Sequence, residues 1–535
     1  MKYIILTFLL CYALPAFSQS WQFTKKIGGI QNKNSTGLAA DKDGNSYIIG
    51  NFKGSITLDT ISISGGSTRN VFVAKYNSFG NIIWAVKAAS AIDSILDGIT
   101  INAISVDGAG HIYITGNYIG NATFFGTKHT SIGSSEIYLA KLTQSGDLIW
   151  LRTAGGYGVG NYNQNEPYAL CIDGSGNCYV TGRYFKTAIF DTITISATLP
   201  NEFFIAKYNS DGNIVWAKSG GGDFGIHNGF GIACDTEGNT FVTGDFFGHL
   251  LIDGNVIDAG DPEQKMFIAK YSPSGKTLWA KEIGSGGYYG IAAALCLDKN
   301  GNSYITGFFR STINFGLTAL TFNRSVIAYA MLEVKYDPDG NFIWAVKSDG
   351  AEQNTRGLAI CGDPQGNTYI TGGFSKKTSF GSTTLTKDSG SSTFVTKLDS
   401  QGNFLWAKQT GGNGSNSGNG IALQTTGEIL VGGGFTDTVT FDSKILVSSG
   451  GSDVFIAALT DPRQSVRDYQ HEVNSPDFYP NPVDRTLRFL KKQKIAMFDV
   501  LGRDILRCND CDELHTAQLP EGAYYIKGHL IIIKH

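Results

Sequence analysis

The sequence predicts an all-β fold, a seven-bladed propeller closed by its own first strand. Three observations predict it. The composition favours strands and turns, with 68 Gly, 24 Tyr and 33 Phe among 535 residues and no collagen-like period. A unit carrying one Trp recurs, at Trp21, Trp84, Trp150, Trp216, Trp279, Trp344 and Trp406. Within each unit, two x-x-Gly-Asn turns join runs of strand-forming residues, so the unit reads as two hairpins.

The elements follow in chain order. Residues 1–18 read as a secretory signal: Lys2, an apolar run from Tyr3 to Leu14, then Ala16-Phe17-Ser18 as a small-x-small cleavage site. The run is too short to span a bilayer. Cys11 does not read as a lipid anchor, because Leu10 precedes it rather than a small residue. Net charge is −3, which gives no electrostatic footprint for nucleic acid, and no later segment is long and apolar enough to be a transmembrane helix. Export across the inner membrane and an extracellular or cell-surface location are the expectation.

Residues 19–461 carry the repeats. Strand a is of the kind Gly231 to Cys234, strand b Thr240 to Phe246, strand c Phe203 to Tyr208 and strand d Asn213 to Lys218. In each turn Gly supplies the positive φ, while Asp or Asn bonds its own backbone. Strands c and d alternate apolar and polar residues, which predicts one buried face each. A unit of this length exceeds the usual propeller repeat, and the excess between b and c, as in Lys53 to Asn70, predicts one or two extra short strands. Strand a is expected to begin near Gly37, Asn102, Tyr168, Gly231, Ala292, Gly357 and Gly420. The last strand c, Asp453 to Thr460, has no Trp strand after it. The missing strand d is Ser20 to Ile27 at the N-terminus, which closes the propeller and removes two open edges.

Cysteines are sparse, so the fold is not a disulfide scaffold. Cys171, Cys296 and Cys361 occupy equivalent places in different repeats and are expected to lie apart as buried thiols. Cys171 and Cys178 flank one hairpin turn, and their pairing is the lesser alternative. No metal ligation and no cofactor are expected: the eight histidines are scattered singly. No nucleophile elbow or phosphate loop is present. The Asp41 to Asn45 and Asp337 to Asn341 turns lack the oxygens and distal Glu of an EF-hand, so their carboxylates read as turn caps. The chain is not expected to be an enzyme. What remains is surface. The d-to-a loops vary in length and are rich in Gly, Asn and aromatic residues, against the uniform short turns of the opposite face. Variable loops on a rigid scaffold predict a binding face for glycan or protein. The candidates are Tyr157, Tyr162, Asn163, Asn165, Phe224, His227, Asn228, Tyr288 and Tyr289. The alternative is a hydrolase whose site assembles on the same loop face without a recognisable motif.

The repeats, from about Ser20 to Asp461, resemble the SBBP repeats of bacterial secreted propeller proteins. Polar residues 462–477 read as a linker. Residues 478–535 contain Tyr479-Pro480-Asn481-Pro482, then Asp499 with Gly502 and Arg503, then Gly522 and Tyr524. This order is similar to the type A C-terminal sorting domain of type IX secretion in Bacteroidetes. The resemblance implies a small β-sandwich, partnership with the type IX machinery, and transport across the outer membrane. Cys508 and Cys511 form a lone C-x-x-C that departs from that pattern, and with no second pair a zinc site is not expected.

Overall fold

The computed structural model describes residues 19–29, 37–91, 98–132, 135–156, 165–197, 201–222, 225–258, 264–286, 289–322, 328–350, 354–461, 478–479, 486–499, 504–515, 519, 522–526 and 529–533. Every regular element among them is a strand. The chain divides into Ser20–Thr460 and a second unit that includes Asp461–His535.

The first unit is all-β in a propeller arrangement. Among the described residues, antiparallel groups of four strands in the order a-b-c-d recur seven times. The first group is Leu38–Ala40, Ser46–Phe52, Asn70–Tyr76 and Ile82–Ala91; the second is Ala103–Val106, Ile112–Ile119, Glu136–Leu142 and Leu148–Gly155. The third is Glu166–Ile172, Cys178–Tyr184, Glu202–Tyr208 and Ile214–Gly220; the fourth is Asn228–Cys234, Thr240–Phe247, Gln264–Tyr271 and Thr277–Glu282. The fifth is Tyr289–Leu297, Ser303–Phe315, Ala330–Tyr336 and Phe342–Lys347; the sixth is Asn354–Gly362, Thr368–Phe380, Thr383–Leu398 and Phe404–Gln409. The seventh takes Asn416–Leu423, Glu428–Phe441 and Lys444–Thr460 from one end of the repeats and Ser20–Gly29 from the other.

The expected N-terminal strand d is therefore paired with the last strand c, from Ser20 opposite Thr460 to Ile27 opposite Val454. Its register corrects the repeat count in one respect. In the third group Trp216 lies opposite Lys207 and Ala217 opposite Ala206. In the seventh, Thr24 lies opposite Ala457 and Phe23 opposite Ala458, so Phe23 and not Trp21 holds the equivalent place. The Phe23-x-x-Lys26 spacing matches Trp84-x-x-Lys87. Trp21 instead packs edge-on against Phe441, with ring centroids 4.9 Å apart.

That place matters because its aromatic residue clasps the next group. The indole N–H of Trp150 donates to the Ser210 carbonyl at 3.2 Å, and that of Trp216 to the Pro273 carbonyl at 3.1 Å. The ring also lies on the turn glycine: a Cβ on Gly212 would sit 2.8 Å from the Trp150 ring, and one on Gly80 2.6 Å from the Phe23 ring. Strand c is buried on both faces rather than one, as Glu202–Tyr208 shows along its whole length. Its lysine reads as polar in sequence yet is buried. Lys207 lies over the Tyr179 ring at 5.0 Å and reaches the Pro273 carbonyl at 3.1 Å, so its stem packs while its ammonium finds an acceptor in the next group.

The surplus between b and c forms a two-stranded hairpin, such as Ser55–Leu58 with Ile61–Ser64. It pairs with strand d of the preceding group: Ile27, Gly28 and Gly29 lie opposite Leu58, Thr57 and Ile56. The same link recurs as Ala154 opposite Phe190 and as isolated bridges from Gly221 to Leu251 and Gly411 to Thr440. The cores lie between groups. One joins Ile27, Leu430 and Ile456 of the seventh to Leu38, Ile48 and Phe72 of the first.

Strand a starts earlier than the sequence pattern indicates in the later groups, at Glu166, Asn228, Tyr289, Asn354 and Asn416. A β-bulge explains the miss. Register shifts at Tyr168, Phe230, Ala293, Leu358 and Asn419 break the alternation, so the residues before each bulge look like loop. The cysteine expectation also needs correction. Successive a strands are neighbours, so equivalent positions in adjacent repeats converge. Cys296 and Cys361 are close enough that, after burial, Cys361 is the next cause raising the Cys296 thiol. Cys171 and Cys234 share one interface cluster, whereas Cys178 belongs to the cluster on the other side of its hairpin. All five described cysteines are free thiols.

In the second unit, Phe478–Tyr479, Thr486–Asp499, Asp504–His515, Gly522–Ile526 and His529–Ile533 form one five-stranded antiparallel sheet. Tyr479 lies opposite Arg488, Gly522 opposite Ile533, and Tyr524 is buried. Pro480, Asn481, Pro482, Gly502 and Arg503 fall outside the described residues, as do the signal segment 1–18 and the linker 462–477.

Candidate ligand-binding face

The site grows from one register position. Just before each bulge, a residue of strand a faces a residue of strand b across the pair. In the third group the couple is Glu166 and Arg183, in the fourth Asn228 and Asp245, in the sixth Arg356 and Gly373. The strand b member follows the Gly of a Gly-x-aromatic triplet. That middle residue is Asn51, Asn117, Arg183, Asp245, Phe308, Gly373 or Gly434 while its neighbours barely change. A bulge re-aims the residue it carries, and the rings of Tyr168 and Phe230, in neighbouring bulges, lie 5.0 Å apart.

The third group is internally neutralised. Arg183 pairs with Glu166 at 2.8 Å, Tyr168 donates its hydroxyl to the same carboxylate oxygen at 2.7 Å, and the guanidinium lies 5.9 Å over the Tyr168 ring. In the fourth group Asp245 is almost wholly buried. Asn228 donates to one of its oxygens at 2.7 Å and Gln264 to the other. Burial pushes the Asp245 carboxyl up to about 7, against the pull of those two bonds and of the Arg183 charge. The phenols of Tyr168 and Tyr289 both feel the Asp245 charge, which makes the cluster continuous across the third, fourth and fifth groups.

Aromatic–arginine stacking continues into the sixth group. The Tyr289 and Tyr329 rings are 5.3 Å apart, and Arg310 lies 4.7 Å over Tyr289. Arg356 is exposed and lies over both Tyr329, at 4.7 Å, and Phe308, at 5.1 Å. The arrangement can hold a planar anion beside aromatic rings. Among the described residues, no group of three His, Cys, Asp or Glu is placed to hold a metal ion.

The expected site residues divide three ways. Tyr157, Tyr162, Asn163, Phe224 and Tyr288 fall outside the described residues. Asn165, His227 and Asn228 are buried and serve the scaffold. Asn165 donates to the Ser135 carbonyl at 2.9 Å and accepts from the Phe185 N–H at 3.0 Å, tying the second group to the third. His227 lies with Nε2 3.2 Å from the His249 carbonyl, and burial lowers its pKa, so the neutral ring donates that bond. Tyr289 is half-buried within the cluster. Sequence reasoning passed over Tyr168, Arg183, Phe230, Asp245, Arg310, Tyr329 and Arg356. The changing middle residue of the Gly-x-aromatic triplet was the available signal for Arg183, Asp245 and Phe308.

No family model matches the chain. An uncharacterized WD repeat-containing protein of Acanthamoeba polyphaga mimivirus is 22% identical over 552 residues, covering 82% of this chain and 38% of the relative, so the chain spans well under half the length of that protein. Among solved structures, a polysaccharide lyase described as an ulvan lyase bound to -[GlcA(1-4)Rha3S]- is similar at 13% identity and a TM-score of 0.38, covering 81% of this chain and 97% of that one. A protein of unknown function from Dyadobacter fermentans DSM 18053 is similar at 9% identity and a TM-score of 0.34, covering 82% and 98%.

Proposed function

We propose that the repeats form one closed seven-bladed propeller acting as a non-catalytic binding module for glycan or protein. The observation that carries this reading is the band of packed rings and guanidiniums along the inner-strand ends, in which Glu166 and Asp245 are already committed. Glu166 is held by Arg183 and Tyr168, and Asp245 by Asn228 and Gln264. A hydrolytic pair needs one carboxyl free to move a proton and another facing the scissile bond. Committed carboxylates favour recognition over hydrolysis, which stays the second reading. The seven-fold strand pattern supports the closed propeller, with the chain ends sharing one group.

The residue patterns at 1–18 and 478–535 support export by type IX secretion, with a C-terminal β-sandwich as the sorting domain and the propeller delivered to the cell surface or medium. Binding is tested by applying the purified chain and its Tyr168→Ala variant to glycan and peptide arrays. Ligands bound by the parent and lost by the variant support the reading. Turnover of any bound glycan would replace it with the hydrolase reading.

A further inference from the structure

We infer that Arg356 is the anion-reading residue of this face and that its ligand is a uronate-bearing saccharide; this rests on the binding-module reading above. The argument starts from the register position shared by the repeats. In the third group the position couples Glu166 to Arg183, and in the fourth it couples Asn228 to Asp245. Both of these groups thereby satisfy a polar residue across the strand pair. In the sixth the same position sets Arg356 against Gly373, which has no side chain to accept a hydrogen bond. The cation here stands on strand a, in the place Glu166 holds in the third group, and no side chain faces it across the strand pair.

Packing then fixes what Arg356 presents. Its guanidinium lies over two buried rings, 4.7 Å from Tyr329 and 5.1 Å from Phe308, yet the residue is exposed. The two rings stand edge-to-face, 71° apart, so together they cradle the guanidinium from two sides while its solvent side is open to an acceptor. A cation held by two ring contacts loses little further freedom on binding, and its forked donors match a carboxylate in bidentate fashion. Half-buried rings of Tyr289, Tyr168 and Phe230 continue from it. A pyranose ring offers an apolar C–H face to such rings, and a hexuronic acid carries a planar carboxylate on the same unit. An acidic peptide offers the carboxylate without the flat apolar face. Recognition by strand addition would need an open sheet edge, whereas here side-chain planes are presented.

The test is calorimetric titration of the full chain with three probes: hexagalacturonate, the neutral cellohexaose and a hexaglutamate peptide. Hexagalacturonate is expected to bind, more weakly as ionic strength rises. Arg356→Ala should weaken it at least about tenfold, and Arg356→Lys should recover only part of the loss, because an ammonium cannot bind both carboxylate oxygens in a fork. Arg356→Ala should still unfold cooperatively with at most a small fall in melting temperature, since the residue is exposed and loses only its two ring contacts. Equal binding of cellohexaose, or no effect of Arg356→Ala, overturns the inference while leaving a glycan-binding module. Binding of hexaglutamate alone overturns it in favour of a protein partner. No binding of any probe also overturns it, and the arrays then decide the broader reading separately.

Discussion

Replacing Glu333 by Ile should stabilise the protein, and by an amount that depends on pH. Glu333 stands on strand c of the fifth group, where the other repeats carry Val73, Leu139, Ile205, Ile268, Val395 and Ile456. Its side chain is fully buried, and neither carboxylate oxygen has a hydrogen-bond partner. Burial pushes its pKa from 4.5 up to about 8; the Thr368 hydroxyl lies nearby without completing a hydrogen bond, and it and the Lys335 charge pull the other way. The folded pKa is raised, so the protonated carboxyl costs least below the unfolded pKa. Stability is lost as pH rises from there through about 8. With about 1.4 kcal/mol per pKa unit, the loss reaches about 3 kcal/mol at neutral pH. Ile removes that cost and fills a similar volume. Lys335 keeps its bond to the Ser400 carbonyl at 3.1 Å, so the substitution does not strand a charge. Urea unfolding of parent and variant at mildly acidic, neutral and mildly alkaline pH measures the difference directly, and other titrating groups cancel in it. The variant should gain little at acidic pH, about 3 kcal/mol at neutral pH and more above. A gap that is independent of pH, or a variant less stable than the parent at neutral pH, would refute the reasoning.

Other perturbations test the scaffold and the export signals. Gly80→Ala forces a side chain onto a backbone with φ of 76° and against the Phe23 ring, and should cost on the order of 2 kcal/mol by chemical denaturation. Phe23→Ala should cost at least as much as Trp21→Ala if Phe23 is the residue that clasps the first group; the reverse order would return the role to Trp21. Asp245→Asn leaves one oxygen where the carboxylate offered two, so either one bond from Asn228 or Gln264 is lost or one of those amides must turn over; a loss of about 1 kcal/mol is expected, measured by thermal unfolding. Deleting residues 478–535 should leave a folded propeller retained in the periplasm of a type IX-competent host, scored by surface proteolysis and fractionation. Normal surface delivery of the truncated chain would remove the sorting assignment.

The sequence by itself carried the all-β class, the repeat, the two hairpin turns of each unit, and the pairing of the first strand with the last strand c. These rest on local chemistry repeated many times. A turn needs Gly at positive φ and Asp or Asn at its start, and a strand needs its apolar run, wherever the unit lies. Tertiary structure decided the rest. Phe23 could not be told from Trp21 because one residue of register is invisible without the partner strand. The buried Lys207 and the doubly covered strand c were hidden because alternation shows polarity, not what the next group places above it. Neighbouring cysteines looked remote because sequence separation does not register convergence of inner strands. The candidate face was legible only in outline. Loop variability pointed to one end of the strands, yet Asn165, His227 and Asn228 turned out to bond inward, while Arg183, Asp245 and Arg356 sit inside strands that read as scaffold. Their roles come from cross-strand partners and from rings many residues away in sequence, and that proximity exists only once the strands have paired.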